Sequence, residues 1–336
     1  MSTSPPTLYD VAREAGVSLA TASRTLNGST RRVNEEYRVK VLAAAAKLGY
    51  AANLSAQAVA RGASSTVSLL VRDIADPYFS SIAAGVMRAA DERGLAVTMA
   101  VTGRDPEREL ALVRTLRAQR PRVMVLAGSR FVDDEQRAAL VAELTSFTDQ
   151  GGRVVLVSQR ELPFPTVALD NRGGSAALAH ELVGLGYRGF ALLAGPEGLM
   201  TARDRVEAFT EALGEHGIRP VRVIHGEFGR DAGHAAALDL PLDGLDCVVA
   251  VNDVMAIGAL SALRDRGVTV GAGGVGVAGF DDIPTAQDVT PALTTVHLPL
   301  EAAGAAAVEL ALASDEDAAT ELPATVVVRE STPRRA

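Results

Sequence analysis

From residue 66 onward, short β-rich runs alternate with amphipathic stretches of helical length, and few folds accommodate that pattern. The first series runs TVSLLV (66–71) then a helix over 77–93, LAVTMAV (95–101) then 106–119, RVMVLA (122–127) then 133–149, and RVVLVS (153–158). A second series follows: TVALD (166–170), a helix over 173–185, FALLAG (190–195), 201–216, RVIHGE (222–227), 231–238, CVVAV (247–251), 253–266 and VGVAGF (275–280). Strand–helix alternation implies parallel sheets joined by right-handed crossovers. The expected class is therefore α/β, with two doubly wound lobes. In such lobes ligands sit at the carboxyl ends of the strands.

Residues 7–49 have a different grammar and read as three short helices. Thr7 is an N-cap before LYDVAREA, with Leu8, Val11, Ala12 and Ala15 at helical spacing, and Gly16 ends that helix. Ser18 restarts the chain as the N-cap of LATASRTLN, which Gly28 closes. Asn34 caps EEYRVKVLAAAAKLG, with Val39, Leu42, Ala46 and Leu48 available to a core. Two short helices joined by a glycine-containing turn form a helix-turn-helix. Residues 50–65, YAANLSAQAVARGASS, are small and polar and read as a linker with marginal helix potential.

The chain carries a formal charge of −8, which by itself argues against nucleic acid, but the distribution reverses the inference. Residues 1–62 hold eight Lys/Arg against four Asp/Glu (+4), and the remainder holds 25 against 37 (−12). A basic head on an acidic body fits contact with a phosphate backbone. No apolar run reaches the ~18 residues of a membrane span. Residues 1–7 lack the basic-then-apolar order of a secretory signal. The single cysteine, Cys247, lies in an apolar run and has no internal disulfide partner. A cytoplasmic protein is expected.

In a helix-turn-helix the second helix enters the major groove and its first residues meet base edges. That places Leu19, Ala20 and Thr21 in the first turn, with Ser23 and Arg24 one turn later. Arg24 is suited to a guanine, and Leu19 or Ala20 to a thymine methyl. Thr7, Tyr9, Ser18, Thr21, Ser23, Asn27 and Arg32 supply donors for phosphates. On spacing alone, a three-helix bundle used for protein contact remains an alternative.

The segments TLYDVAREAGVSLATASRTLNGS and VNEEYRVKVLAAAAKLGYAANLSAQAVARG closely resemble the N-terminus of lactose/purine-repressor (LacI/GalR) regulators, and DPYF, TARDRVEAF, VNDVMAIGAL, VAGFDD and PALTTV extend the resemblance. It implies a helix-turn-helix head over residues 1–52 and a hinge helix over 53–64 that forms on DNA. It also implies a bilobal effector-binding and dimerisation body of periplasmic-binding-protein type over 65–336. Lobe 1 would span about 65–165 and 296–322, and lobe 2 about 166–295 and 323–333. Asn53 and Val59 would touch DNA from the hinge. Val59 stands where the family has a leucine wedge that kinks a minor-groove step, and valine is shorter. Other departures are Tyr37 at the start of the third helix, a basic GSTRR wing, and Leu19–Ala20, which lack side-chain hydrogen bonds at the family's specificity positions.

The same resemblance places an effector between the lobes, contacted by Tyr78, Phe79, Thr201, Arg205, Phe228, Asn252, Asp253 and Asp281. An arginine, two carboxylates, an amide and aromatic faces suit a sugar. Taken singly, Phe79 and Phe228 are equally consistent with core packing, and Asp253 and Asp281 with helix or turn caps. Two motifs are decoys. The GxGxxG pattern from Gly271 to Gly276 leads into a strand rather than a helix, so it lacks phosphate-cradling geometry. Asp281 and Asp282 are adjacent, and neighbours on a strand point to opposite faces. No nucleophile, base or metal cluster stands out, so neither catalysis nor a cofactor is expected. The expected partners are pseudo-palindromic double-stranded operator DNA, a carbohydrate effector and a second copy of the chain, with no membrane contact. The ending TVVVRESTPRRA lacks leucine heptads, so a dimer is expected rather than a tetramer. Rival functions are a solute-binding protein, which would not need residues 7–62, and a sugar-processing enzyme on the same lobes.

Overall fold

The computed structural model describes residues 6–27, 33–50, 65–132, 135–313 and 319–335. Expectations for Gly28, the wing, Arg32, Asn53 and Val59 lie outside these residues, as does the side chain of Asn27. The chain divides into two compact units, Met1–Ser65 and Thr66–Ala336.

In the first unit, α1 (Leu8–Ala15), α2 (Leu19–Asn27) and α3 (Glu35–Leu48) form as expected. Thr7 Oγ1 accepts from the Asp10 amide while the Asp10 carboxylate accepts from the Thr7 amide, a reciprocal capping box. Gly16 then adopts φ +65°, where a Cβ would be strained. Val11, Ala12, Ala22, Val41, Ala44 and Ala45 make the core. This corrects the register expected for α3. Val39 and Leu42 are exposed and Ala46 faces solvent, while Leu48 packs partly against the core. The run VKVLAAAA is apolar around most of its circumference, so its composition does not mark a buried face. Contact with α1 and α2 selects one.

The second unit holds two parallel sheets. The first has order β11-β5-β4-β3-β1-β2, from β1 (Thr66–Val71), β2 (Ala96–Val101), β3 (Val123–Ala127), β4 (Arg153–Val157), β5 (Thr166–Leu169) and β11 (Ala319–Leu322). The second has order β7-β6-β8-β9, from β6 (Phe190–Gly195), β7 (Arg222–His225), β8 (Cys247–Ala250) and β9 (Gly276–Ala278). An antiparallel ribbon of β10 (Thr295–His297) and β12 (Thr325–Val327) accompanies them.

The helices are α4 (Pro77–Asp91), α5 (Pro106–Ala118), α6 (Arg137–Asp149), α7 (Asn171–Gly184), α8 (Met200–Glu215), α9 (Arg230–Leu238), α10 (Asp253–Asp265), the short α11 (Thr285–Asp288) and α12 (Leu300–Leu312). Buried β-branched and leucine residues fill both faces of the first sheet, as parallel strands require.

One boundary is corrected. TVALD was expected to open lobe 2, yet β5 pairs in parallel with β4 and with β11 and completes the first sheet. Lobe 2 begins only at α7. A fully buried strand has no alternating pattern to declare which sheet it joins; pairing with its neighbours decides.

Candidate functional site

Adjacent strands of the first sheet end on one wall of a cleft. Arg72 follows β1, Arg104 lies beyond β2, and Gly128 and Ser129 follow β3. The side chain of Arg72 passes directly over Gly128, where a Cβ would stand 2.9 Å from Arg72 Cγ. Gly128 itself holds φ +117°. Asp76 caps α4 by accepting from the Tyr78 amide at 3.0 Å, which sets Tyr78 and Phe79 on the first turn of that helix. Their rings meet edge to face, 4.9 Å apart. Burial raises the Asp76 carboxyl above its usual range, opposed by the Tyr78 amide and by Arg104. Burial likewise raises the Tyr78 phenol.

The opposite wall is built on Arg205, which is 3% exposed. Its guanidinium donates Nε–H to Asn171 Oδ1 at 2.8 Å and one Nη to the Val251 carbonyl at 2.5 Å, and its other Nη forms an ion pair with Asp281 Oδ1 at 2.8 Å. It also lies 3.9 Å from the Phe280 ring centroid. These contacts hold the planar fork in one orientation. Burial pushes the Asp281 carboxyl up to about 7 despite this cation. Asp281 and Asp282 both have left-handed backbone, φ +111° and +55°, rare for residues with a Cβ and the kind of strain that collects at binding sites.

The walls are joined at one end. Ser129 Oγ accepts from the Thr201 amide at 3.0 Å, Gln159 Nε2 donates to Thr201 Oγ1 at 2.6 Å, and the Arg130 carbonyl accepts from the Met200 amide at 3.0 Å. Arg130 is itself pinned by Glu109 and Glu161, each at 3.0 Å. At the mouth, Arg104 from lobe 1 lies 5.6 Å from the Phe228 ring centroid of lobe 2.

Seven of the eight residues expected at an effector site line this cleft: Tyr78, Phe79, Thr201, Arg205, Phe228, Asn252 and Asp281. Phe79 is at the same time a core residue, 6% exposed. Asp253 does not line it. Fully buried, it accepts from Thr295 Oγ1 at 2.5 Å and from the Ile283 amide at 2.9 Å, so it braces the turn that carries Asp281. The reason is helical geometry: Asn252 caps α10 and faces the cleft, whereas the next residue turns inward. Arg72, Asp76, Arg104 and Ser129 were not anticipated. Their signal was their position just beyond the carboxyl ends of parallel strands.

The glycine decoy is a loop into β9, as expected. The two aspartates do diverge, although through the turn rather than strand alternation, since Asp282 pairs with Arg329 and His297.

On the head, Leu19, Ala20 and Arg24 are exposed on the face of α2 opposite buried Ala22, with Ser23 partly exposed between them. Leu19 is 48% exposed and Tyr9 is 64% exposed. The hydroxyls of Thr7 and Ser18 are engaged in capping: Thr7 Oγ1 with Asp10, and Ser18 Oγ with the Thr21 amide at 3.1 Å.

Comparison with known proteins then decides the family. Bacterial regulatory proteins of the lacI family match residues 7–53, and a periplasmic binding protein-like domain matches residues 179–332. The HTH-type transcriptional regulator GalS of Salmonella typhimurium is 34% identical over 91% of this chain and 89% of its own. The chain belongs to the LacI/GalR family of transcriptional regulators. A solved lac repressor dimer bound to operator and the anti-inducer ONPF is 28% identical, with TM-score 0.85 over 98% of this chain and 100% of that one. The transcriptional regulator CelR in complex with cellobiose is 30% identical, with TM-score 0.69 over 97% and 99%. This LacI/GalR-family member is thus a DNA-binding regulator rather than an enzyme. Among the described residues, no helix is long and apolar enough to cross a membrane.

Proposed function

We propose that this regulator binds pseudo-palindromic operator DNA as a homodimer in the cytoplasm and represses transcription, and that a sugar or sugar derivative seated in the cleft controls its operator affinity. The observation that carries the reading is the cleft itself: polar and aromatic groups from the strand ends of both lobes converge there, in a chain that also carries a helix-turn-helix. The exposed face Leu19–Ala20–Arg24 supports direct readout, with Arg24 on a guanine and the apolar pair on thymine methyls. A ligand touching both walls differentiates between inter-lobe arrangements, and only such differential binding shifts a conformational equilibrium. Two-fold symmetric sites reward a two-fold protein.

Selection of genomic fragments with the purified full chain, followed by titration of a carbohydrate panel against the recovered site, tests the proposal. Enrichment of a palindromic sequence, with affinity altered by one class of sugar, is expected. Absence of sequence preference at ~0.15 M salt would overturn it.

A further inference from the structure

Two of the chain's five histidines converge at the end of lobe 2 remote from the cleft. α8 starts beside the cleft with Met200 and Thr201, and His216 caps its far end, about 20 Å along the helix axis. α7 packs along α8 and brings His180 to the same place. Arg172 ties the two helices through Glu207 at 3.2 Å and Glu211 at 2.7 Å, and Ser175 Oγ donates to the Arg205 carbonyl at 2.6 Å. Both imidazoles are thus presented from one fixed pair of helices.

We propose that the outer end of lobe 2 carries a site for a divalent transition-metal ion such as Zn²⁺, Ni²⁺ or Cu²⁺, held by His180 Nδ1 and His216 Nε2 with water completing its coordination. The two nitrogens stand 3.0 Å apart, with the ring planes inclined at 71°. Imidazole nitrogens bind Zn²⁺ at about 2.0–2.1 Å, so two of them on one ion, at right-angled to tetrahedral spacing, lie about 2.9–3.4 Å apart. The pair meets that distance with neither helix displaced. Both side chains are exposed, so small χ rotations aim the two lone pairs at a common point.

The surroundings favour a cation at that point. Glu215 Oε2 lies 3.7 Å from His180 Nε2, the nitrogen not directed at His216. A carboxylate on that side favours the proton on Nε2 and leaves Nδ1 as a lone pair, the outer arrangement found around metal-bound histidines. α7 and α8 also both end here, and the partial negative charge of two helix C-termini attracts a cation. The remaining histidines are arranged differently: His234 and His297 face Asp265 and Asp282, and His225 faces the Gly195 carbonyl. Among the described residues, no three His, Cys, Asp or Glu side chains form a closed cage. An open site of two imidazoles and water suits Zn²⁺, Ni²⁺ or Cu²⁺ and not Mg²⁺ or Ca²⁺, which take oxygen ligands. Occupied, it clips the far ends of α7 and α8 and stabilises lobe 2 without touching the cleft.

The test uses the untagged full chain, freed of metal by chelator and kept in a non-coordinating buffer. Thermal unfolding and calorimetry with Zn²⁺, Ni²⁺ and Mg²⁺ are compared for the wild type, His180→Ala, His216→Ala and Glu215→Gln. Cu²⁺ bound to each protein is read by electron paramagnetic resonance, which counts its nitrogen ligands. A rise in Tm with Zn²⁺ and Ni²⁺ but not Mg²⁺ is expected, with one ion per chain. Loss of either imidazole should weaken binding by more than Glu215→Gln does, and the latter by about tenfold. Copper should show two imidazole nitrogens in the wild type and one or none in each histidine variant. Tm without metal checks that the variants fold; should one fail to, the nitrogen count in the wild type still decides. Absence of one-site binding, binding that survives unchanged in both histidine variants, or a wild-type copper spectrum without two nitrogens overturns the proposal.

Discussion

The two walls of the cleft solve the problem of burying charge in opposite ways. On lobe 2, Arg205 and Asp281 compensate each other, and Asn171, Val251 and Asp253 complete or brace the arrangement. On that wall the buried cation has its counter-charge within the fold. On lobe 1, Arg72 and Arg104 sit on strand ends, with Arg104 3.8 Å from Asp76, whose carboxyl burial raises above its usual range. The difference separates residues that shape a binding site from residues that select what enters it. Changes on lobe 2 are expected to act on stability first, and changes on lobe 1 on ligand choice first.

The largest expected effect is Arg205→Ala. It leaves Asp281 buried beside a void, and removing one partner of a buried pair costs about 3–5 kcal/mol. Urea unfolding checks this; a loss below ~1 kcal/mol would mean that the lobe 2 wall does not depend on the pair.

Next is Asp281→Asn, read as a pH profile. Because the folded-state pKa is raised to about 7, the folded protein keeps a proton that the unfolded chain has released. Wild-type stability relative to the variant therefore falls as pH rises from ~4 to ~7, by at most about 4 kcal/mol, and is level above that. A gap that widened in favour of the wild type over that range would show that Arg205 outweighs burial.

Gly128→Ala follows at about 1–3 kcal/mol, since the new methyl meets Arg72 and the backbone is strained. Ligand affinity should fall with it, because the methyl displaces the guanidinium. Smallest is Arg104→Ala. Its contacts with Asp76 and Phe228 together contribute under ~1 kcal/mol, so stability should barely move while affinity for a ligand in the cleft drops. Equal stability losses for Arg104→Ala and Arg205→Ala would erase the distinction between the walls.

The same contrast explains what could be read in the residues alone. Arg205 and Asp281 lie in TARDRVEAF and VAGFDD, whose resemblance to a known family carries over residue by residue. Arg72 and Arg104 lie in VRD and GRD, which read as ordinary surface charge until adjacent parallel strands bring them together. Alternation of strands and helices was legible because each element carries its own periodicity and caps. The sheet joined by β5 and the buried face of α3 were not, since both are settled by partners distant in sequence. Asp253 was misjudged for a related reason: one residue of helical rotation separates a cleft wall from the core behind it.

The most direct measurement is fluorescence anisotropy of the full chain on a DNA fragment recovered by genomic selection, against the same fragment with shuffled half-sites. Each is read with and without the sugar that most raises the protein's Tm. A preference of about 1,000-fold or more for the intact site, shifted at least ~5-fold by that sugar, is the predicted result. Equal affinities for both fragments, unmoved by a sugar that demonstrably occupies the cleft, would contradict a regulator whose grip on DNA is set between its lobes.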